Sequence, residues 1–236
     1  MSKTNDVKDA AAILSEYQDY AYKVSHDLSA PIRAIVEFSK ILSLEHADKL
    51  DVDAKEYLSL IVENGQKMQA MIEGLLQYSR LDTLEKNVSA VDLGSIINNI
   101  LLGIEDPIKK SGATIIVNSL PTVYADEEQI TLLFTSLIDN AIKFQPTGNT
   151  PLITISAEKK DGYWQLSISD NGIGIKQQFQ DKVFKLFGRL HPDNQYPGVG
   201  VGLTLAQKIV HQHGGKIWFE SRVGNGCIFY FTLPLD

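Results

Sequence analysis

Residues 10–42, AAAILSEYQDYAYKVSHDLSAPIRAIVEFSKIL, decide the first half of the fold. Their apolar members Ala10, Ile13, Tyr17, Tyr20, Val24, Leu28, Ile32, Ile35, Phe38 and Leu42 recur three and four residues apart. That is the spacing of one face of an α-helix, not of a strand. Ala54, Leu58, Ile61, Gly65, Met68, Ile72 and Leu75 repeat the pattern, so a second long helix follows. The polar stretch 44–53 separates the two, with Asp51 or Asp53 available as the second helix's N-cap. Each helix would span on the order of 50 Å. Two helices with one apolar stripe each leave too much of that stripe uncovered as an isolated hairpin. Pairing with a second copy, as a four-helix bundle, covers it, and a homodimer is expected.

From about residue 90 the period changes. Helical patterns at Leu93–Lys110, Glu127–Phe144 and Val199–His213 alternate with β-rich runs. Those runs are Ala113–Asn118, Leu152–Glu158, Tyr163–Ser169, Lys216–Ser221 and Cys227–Leu233. Helices alternating with short strands predict a layered α+β domain. Asp126, with Gln129 three residues on, forms a capping-box pattern before the second of these helices. Glu85–Ser89 read as a polar linker, giving a helical domain over 1–86 and a layered domain over 90–236.

Length and composition suit two soluble domains. The 236 residues are 44% hydrophobic and 22% charged, enough for a core in each domain. A net charge of −7 argues against nucleic acid as a partner, because phosphate contacts need clustered Lys and Arg. The single cysteine, Cys227, forms no internal disulfide and fits a reducing compartment. No apolar run approaches the roughly 20 residues of a membrane span, and the N-terminus lacks a signal-peptide core. A cytoplasmic location is expected.

Four segments carry candidate chemistry. His26 lies roughly 200° around the helix from both Val24 and Leu28, so it points away from the apolar stripe. An exposed imidazole on a rigid helix is a candidate nucleophile, and Asp27 beside it can orient the ring or accept its proton. Pro31 removes one helical hydrogen bond just beyond and is expected to bend the helix. Alone, His26 would be read as one of five histidines, merely solvated on a polar face.

Asn140, in LIDNAIKF, offers a hard carboxamide oxygen suited to Mg²⁺, and Lys143 on the same helical side can meet a phosphate. Asp170-Asn-Gly172-Ile-Gly174 follows a predicted strand. Its glycines let a flat ligand approach, while the carboxylate accepts from an exocyclic amine such as that of adenine. Gly198-Val-Gly200-Val-Gly202 opens a helix near Leu203, an anion-binding arrangement, and the turn-rich stretch 189–197 before it reads as a lid. With Leu at position 203 the spacing is not a Rossmann fingerprint, and no P-loop motif occurs. His46 falls in a loop and His191 in the lid. His211 and His213 close a helix, where a cation favours the dipole. Taken singly, each glycine motif is a weak signal, and an ordinary turn explains a third pair, Gly224-Asn-Gly226, about as well as a ligand does.

Together these residues resemble the sensor histidine kinases of two-component signalling, from about residue 8 to the end. SHDLSAPIRAI is similar to the family's H-box, LFTSLIDNAIKF to its N-box and DNGIGI to its G1 box. DKVFKLFGRL is similar to its F-box and GVGVGLTLAQKIV to its G2 box, in the family's order. YSRLD, RLHPDNQYPGVGVGL and HGGKIWFES are closest to the phytochrome-like branch. The resemblance implies a dimerisation and phosphotransfer hairpin followed by an ATP-binding α/β sandwich of the GHKL type. It implies ATP and Mg²⁺ as ligands, a response-regulator receiver domain as partner, His26 as phosphoacceptor and Asp27 as its assistant. Asn140 would hold Mg²⁺ and Asp170 would read adenine. Lys143, Phe144, Gly172, Gly174 and Phe187 would complete the nucleotide site, with Gly198, Gly200 and Gly202 at the lid. Arg189 matches the position that reaches the γ-phosphate.

The chain departs from the family at Ser136, where Asn is frequent, which weakens phosphate contacts while leaving the metal ligand. Ala30 stands where relatives carry Thr or Asn, implying weak phosphatase activity toward the partner. Cys227 replaces a Thr or Ser. No sensor domain precedes residue 8, so the chain is read either as a piece of a longer protein or as taking input from a separate protein. Two other classes compete: a phosphotransfer adaptor that has lost ATP, and a GHKL ATPase to which His26 is irrelevant. ATP binding separates the first from the kinase, and phosphohistidine separates the second.

Overall fold

The structure, a computed structural model, describes residues 2–83, 86–180, 182–191 and 195–235, with side chains over these ranges except for 2–22 and 83. It divides into two compact units, Met1–Thr83 and Leu84–Asp236.

The first unit is a hairpin of two long helices, α1 (Ser2–Glu45) and α2 (Val52–Thr83). Asp51 caps α2: its Oδ1 accepts from the backbone N–H of Ala54 at 2.8 Å. Helix α1 runs unbroken through Pro31. Ile32, Val36 and Ile72 are buried, and Gly65 lets the helices meet, since a Cβ built there would stand 2.4 Å from Val36 Cγ2. The apolar stripe read from the sequence is thus only partly used. Val24, Leu28, Ile35, Phe38, Leu42, Ile61 and Met68 remain exposed. The side chains of Ala10, Ile13, Tyr17 and Tyr20 lie outside the described residues.

The second unit is a two-layer α/β sandwich. Its main sheet has the order β2 (Thr114–Val117), β4 (Leu152–Lys160), β5 (Tyr163–Asp170), β7 (Cys227–Pro234) and β6 (Ile217–Ser221). The β2–β4 pair is parallel and the other pairs are antiparallel. Period-two alternation puts Ile153, Ile155, Leu166, Ile168, Phe229 and Phe231 on one buried face. Against that face packs α5 (Glu127–Lys143), through Ile130, Leu133, Phe134, Leu137 and Ile138. Beside it lie α3 (Leu93–Gly103) and α6 (Gly202–Gln212), each with its own buried apolar stripe. Phe134 meets Phe231 edge-on across the layers at 5.5 Å.

Three sequence expectations change. The helix expected over Leu93–Lys110 breaks into α3 and α4 (Glu105–Ser111). Pro107 has no N–H to give the carbonyl of Gly103, and its ring crowds that carbonyl, so the break falls between them. Two strands are additional: β1 (Val88–Asp92) and β3 (Thr122–Asp126) pair antiparallel, so Val88 and Ser89, read as linker, begin a strand.

The capping box at Asp126 closes differently. Asp126 Oδ1 accepts from Gln129 N at 3.0 Å as expected, but the Asp126 N–H donates to His213 Nε2 at 3.1 Å instead of to Gln129. With Nδ1 of the same ring donating to the Ile209 carbonyl, His213 is the neutral tautomer. Burial, foremost, holds its pKa below the ordinary value, so it is not the helix-end cation that its position suggested.

Candidate functional site

Alternation along β5 places Leu166, Ile168 and Asp170 on the same buried face, so an apolar row ends in a carboxylate. Burial pushes the Asp170 pKa up to about 6. Its Oδ1 accepts from the backbone N–H of Gly172 at 2.8 Å and of Cys227 at 3.3 Å. Those bonds hold the carboxyl at the floor of a cavity lined by Asn140, Phe144, Ile173, Gly174, Ile175, Val183, Leu190, His191, Leu203 and Phe229, among others. An apolar slot with one aimed carboxylate suits a flat heterocycle bearing an amino group. Cys227 lines it too, its thiol pushed up to about 12, first by burial and then by the charge of Asp170, so it is an inert wall group.

A second, more polar cavity shares Asn140, Val183, Gly188 and Leu203 with the first. It is also lined by Ser136, Asp139, Lys143, Gly200, Val201 and Gly202, where α6 begins. Two cations converge there. The Lys143 ammonium is kept below its ordinary pKa chiefly by burial, opposed by attraction to Asp139 and reinforced by the like charge of Arg189. It lies 4.3 Å from the Phe144 ring centroid and 3.0 Å from where a Cβ on Gly198 would stand. Gly200 has φ +76°, and a Cβ on it would meet the Gly188 carbonyl at 2.7 Å and Arg189 Cγ at 3.1 Å. Polar on one side and apolar on the other, the joined cavities match a nucleotide, with phosphates at the N-terminus of α6. For a cation, Asn140, whose carboxamide carries a hard oxygen, lines both cavities. Among the described residues no group of three or more His, Cys, Asp or Glu side chains is clustered to hold a metal. A Mg²⁺ there would rest mainly on phosphate oxygens, the usual arrangement for that ion.

Asn140, Lys143, Phe144, Asp170, Gly174, Gly200 and Gly202 therefore line the joined cavities, as Gly198 and Arg189 border them. Gly172 supports Asp170 from its backbone. Phe187 lines neither cavity; it holds a positive φ of 59° at the turn before Gly188. The apolar wall of Ile175, Val183, Leu190, His191 and Leu203 was missed, because no local pattern marks it; so was Asp139.

In the hairpin, His26 is exposed, its side chain 75% accessible, and its Nδ1 lies 3.3 Å from Asp27 Oδ1. With Nδ1 donating there, the lone pair of Nε2 is the one open to an incoming group.

The His Kinase A (phospho-acceptor) domain model matches residues 18–84, and the histidine kinase-, DNA gyrase B- and HSP90-like ATPase model matches residues 125–236. Cyanobacterial phytochrome A of Nostoc sp. is 39% identical over 221 residues, covering 94% of this chain and 29% of that protein. The chain thus spans under a third of the length of the phytochromes it matches. Full-length ShkA in complex with AMPPNP superposes with a TM-score of 0.69 at 22% identity, over 92% of this chain and 45% of that one. Histidine kinase ThkA in complex with response regulator protein TrrA gives 0.62 at 22%, over 94% and 64%. These two likenesses concern the fold.

Proposed function

Because the chain belongs to the sensor histidine kinases, with a phosphoacceptor half and a GHKL ATPase half, we propose that it phosphorylates its own His26 from ATP. It then passes the phosphoryl group to an aspartate of a response-regulator receiver domain, a partner class that ThkA's complex with TrrA also suggests. The observation that carries this reading is Asp170, an ionisable carboxyl kept at the end of an apolar row and held by the backbone N–H groups of Gly172 and Cys227 against an apolar cavity.

In this mechanism Asp170 accepts the adenine amine, and Phe144 packs the purine. Asn140 would hold Mg²⁺, which when bound would supply neutralisation of the phosphate charge. Lys143, Arg189 and the backbone of Gly198–Gly202 position the triphosphate, so catalysis is chiefly alignment and charge neutralisation. Asp27 takes the Nδ1 proton of His26, and Nε2 attacks the γ-phosphorus as ADP leaves. The exposed apolar residues of α1 and α2 support a homodimer, in which a second hairpin covers them. We place the protein in the cytoplasm, where its single cysteine stays reduced.

The test is incubation with γ-labelled ATP and Mg²⁺, wild type against His26→Gln. Acid-labile, base-stable label on wild type alone is expected. Label persisting on His26→Gln, or ATP hydrolysis with no phosphohistidine, would overturn the assignment.

A further inference from the structure

The segment before the Gly198–Gly202 turn holds a residue that neither composition nor spacing singles out. Tyr196 is only 8% exposed. Its hydroxyl donates to the Gln145 carbonyl at 3.0 Å, just past the end of α5. A buried tyrosine needs such a partner, and a helix end has carbonyls to offer. The anchor is itself tied down, since Gln145 Nε2 donates to the Ala141 carbonyl at 2.6 Å. The Tyr196 ring packs on Phe144 at 5.1 Å and on His191 at 5.3 Å, both members of the apolar cavity wall. Tyr196 lines neither cavity and so stands behind that wall.

Its backbone faces the other way. The Tyr196 carbonyl accepts from Arg189 Nη2 at 2.9 Å, a charge-assisted bond that uses one of the guanidinium's five N–H donors. Arg189 is close enough to Lys143 for its charge to bear on that ammonium, and its Cγ lies beside Gly200. A continuous path therefore runs from the C-terminus of α5 through the Tyr196 hydroxyl, ring and carbonyl to the cation at the phosphate end.

We propose that Tyr196 is a positioning residue. It fixes Arg189 relative to α5, which carries Asn140 and Lys143, and so sets how the site tells a nucleotide with a γ-phosphate from one without. The proposal rests on the nucleotide reading above. Removing the ring frees the carbonyl to move and lets Arg189 leave its place. That loss falls on the terminal phosphate, while the purine keeps Phe144 and Asp170.

The experiment is calorimetric titration of the full chain with ADP and with AMPPNP, both with Mg²⁺, for wild type, Tyr196→Ala, Tyr196→Phe, Arg189→Ala and the double variant Tyr196→Ala/Arg189→Ala. Tyr196→Ala is expected to weaken AMPPNP by about tenfold or more and ADP by under about threefold, the loss of one charge-assisted contact. Tyr196→Phe, which keeps the ring and cannot misfold for want of packing, shows the same selectivity at smaller size. The double variant is no worse than Arg189→Ala, because both act through one group. Equal losses for the two nucleotides, or additive losses in the double variant, would overturn the proposal and leave Tyr196 a packing residue. A wild-type chain that binds neither nucleotide overturns the nucleotide reading itself, and the proposal with it.

Discussion

The hairpin and the sandwich handle apolar surface in opposite ways. In the sandwich, Phe134, Phe231, Leu133, Ile138, Ile153 and Leu166 are sealed between helix layer and sheet within one chain. In the hairpin, Leu28, Ile35, Phe38, Ile41 and Leu42 stand exposed, Phe38 by 67%, because two helices offer each other a single seam. Their reactive groups are inverted as well. The sandwich buries its key carboxyl, Asp170, under apolar neighbours, whereas the hairpin leaves His26 in solvent. A closed core can hold a group away from its preferred charge state for the sake of a ligand. An open one presents its group to whatever docks.

The sharpest way to break this contrast is Asp170→Asn. Losing the anionic acceptor is expected to weaken ATP binding at least about a hundredfold, a charged hydrogen bond plus the mismatch of an amide facing an amine. The same change should strengthen the fold. Asp170's folded pKa of about 6 stands above the ordinary 3.8, so the stability attached to its protonated form is present below pH 3.8 and lost as pH rises through 6. Holding the ionised carboxyl at pH 7 costs about 3 kcal/mol, and the isosteric amide avoids much of that. A higher urea midpoint with lost ATP binding confirms the trade; a lower midpoint shows that the carboxylate is structural.

Next in size is Phe38→Glu. In the proposed homodimer this charges the exposed stripe at two places, which should raise the dissociation constant by roughly a hundredfold while ATP binding in the sandwich stays intact. Sedimentation at micromolar concentration reads this directly, and an unchanged mass would move the interface elsewhere.

Gly65→Ala probes the hairpin's own seam. With its Cβ 2.4 Å from Val36 Cγ2, either the valine turns off its rotamer or the helices separate, and a loss of about 1–3 kcal/mol in hairpin stability is expected by thermal unfolding. No change would mean that the two helices are not held at this contact.

The smallest effect concerns His213. Its folded pKa is depressed by burial, so the stability it contributes in its neutral form is present above pH 6.5 and lost as pH falls below it. In the Asp170→Asn background, free of the opposing carboxyl, the urea midpoint should fall from pH 7 toward pH 5. Adding His213→Asn should flatten that slope.

Much of this was legible in the sequence, for local reasons. Period 3.6 and period 2 mark α1, α2, α5 and the five main strands, since each pattern is written within its own element. The β1–β3 ribbon was not legible: VSAVD and TVYAD are five residues each, and what makes them strands is their pairing across some thirty residues of chain. The residues around the two cavities were legible where a carboxamide, carboxylate or glycine cluster breaks a regular pattern, as at Asn140, Asp170, Gly200 and Gly202. The wall of Ile175, Val183, Leu190 and Leu203 breaks no pattern, because ordinary apolar residues from separate segments become a wall only in three dimensions. Tyr196 was hidden for the same reason, and the role of His213 depends on a partner, Asp126, far from it in the chain.

The notch at Gly65 also bears on motion. Val36 sits over Gly65 of α2, where the missing Cβ admits a methyl group at 2.4 Å from that vacant position. Sliding α1 along α2 by less than a helical turn, about 5.4 Å, would press that methyl against side-chain-bearing neighbours. The hairpin is therefore indexed: it resists gradual axial slip, and a push delivered along α1 is passed on as rotation or tilt of both helices together, or as a discrete jump from one seat to the next.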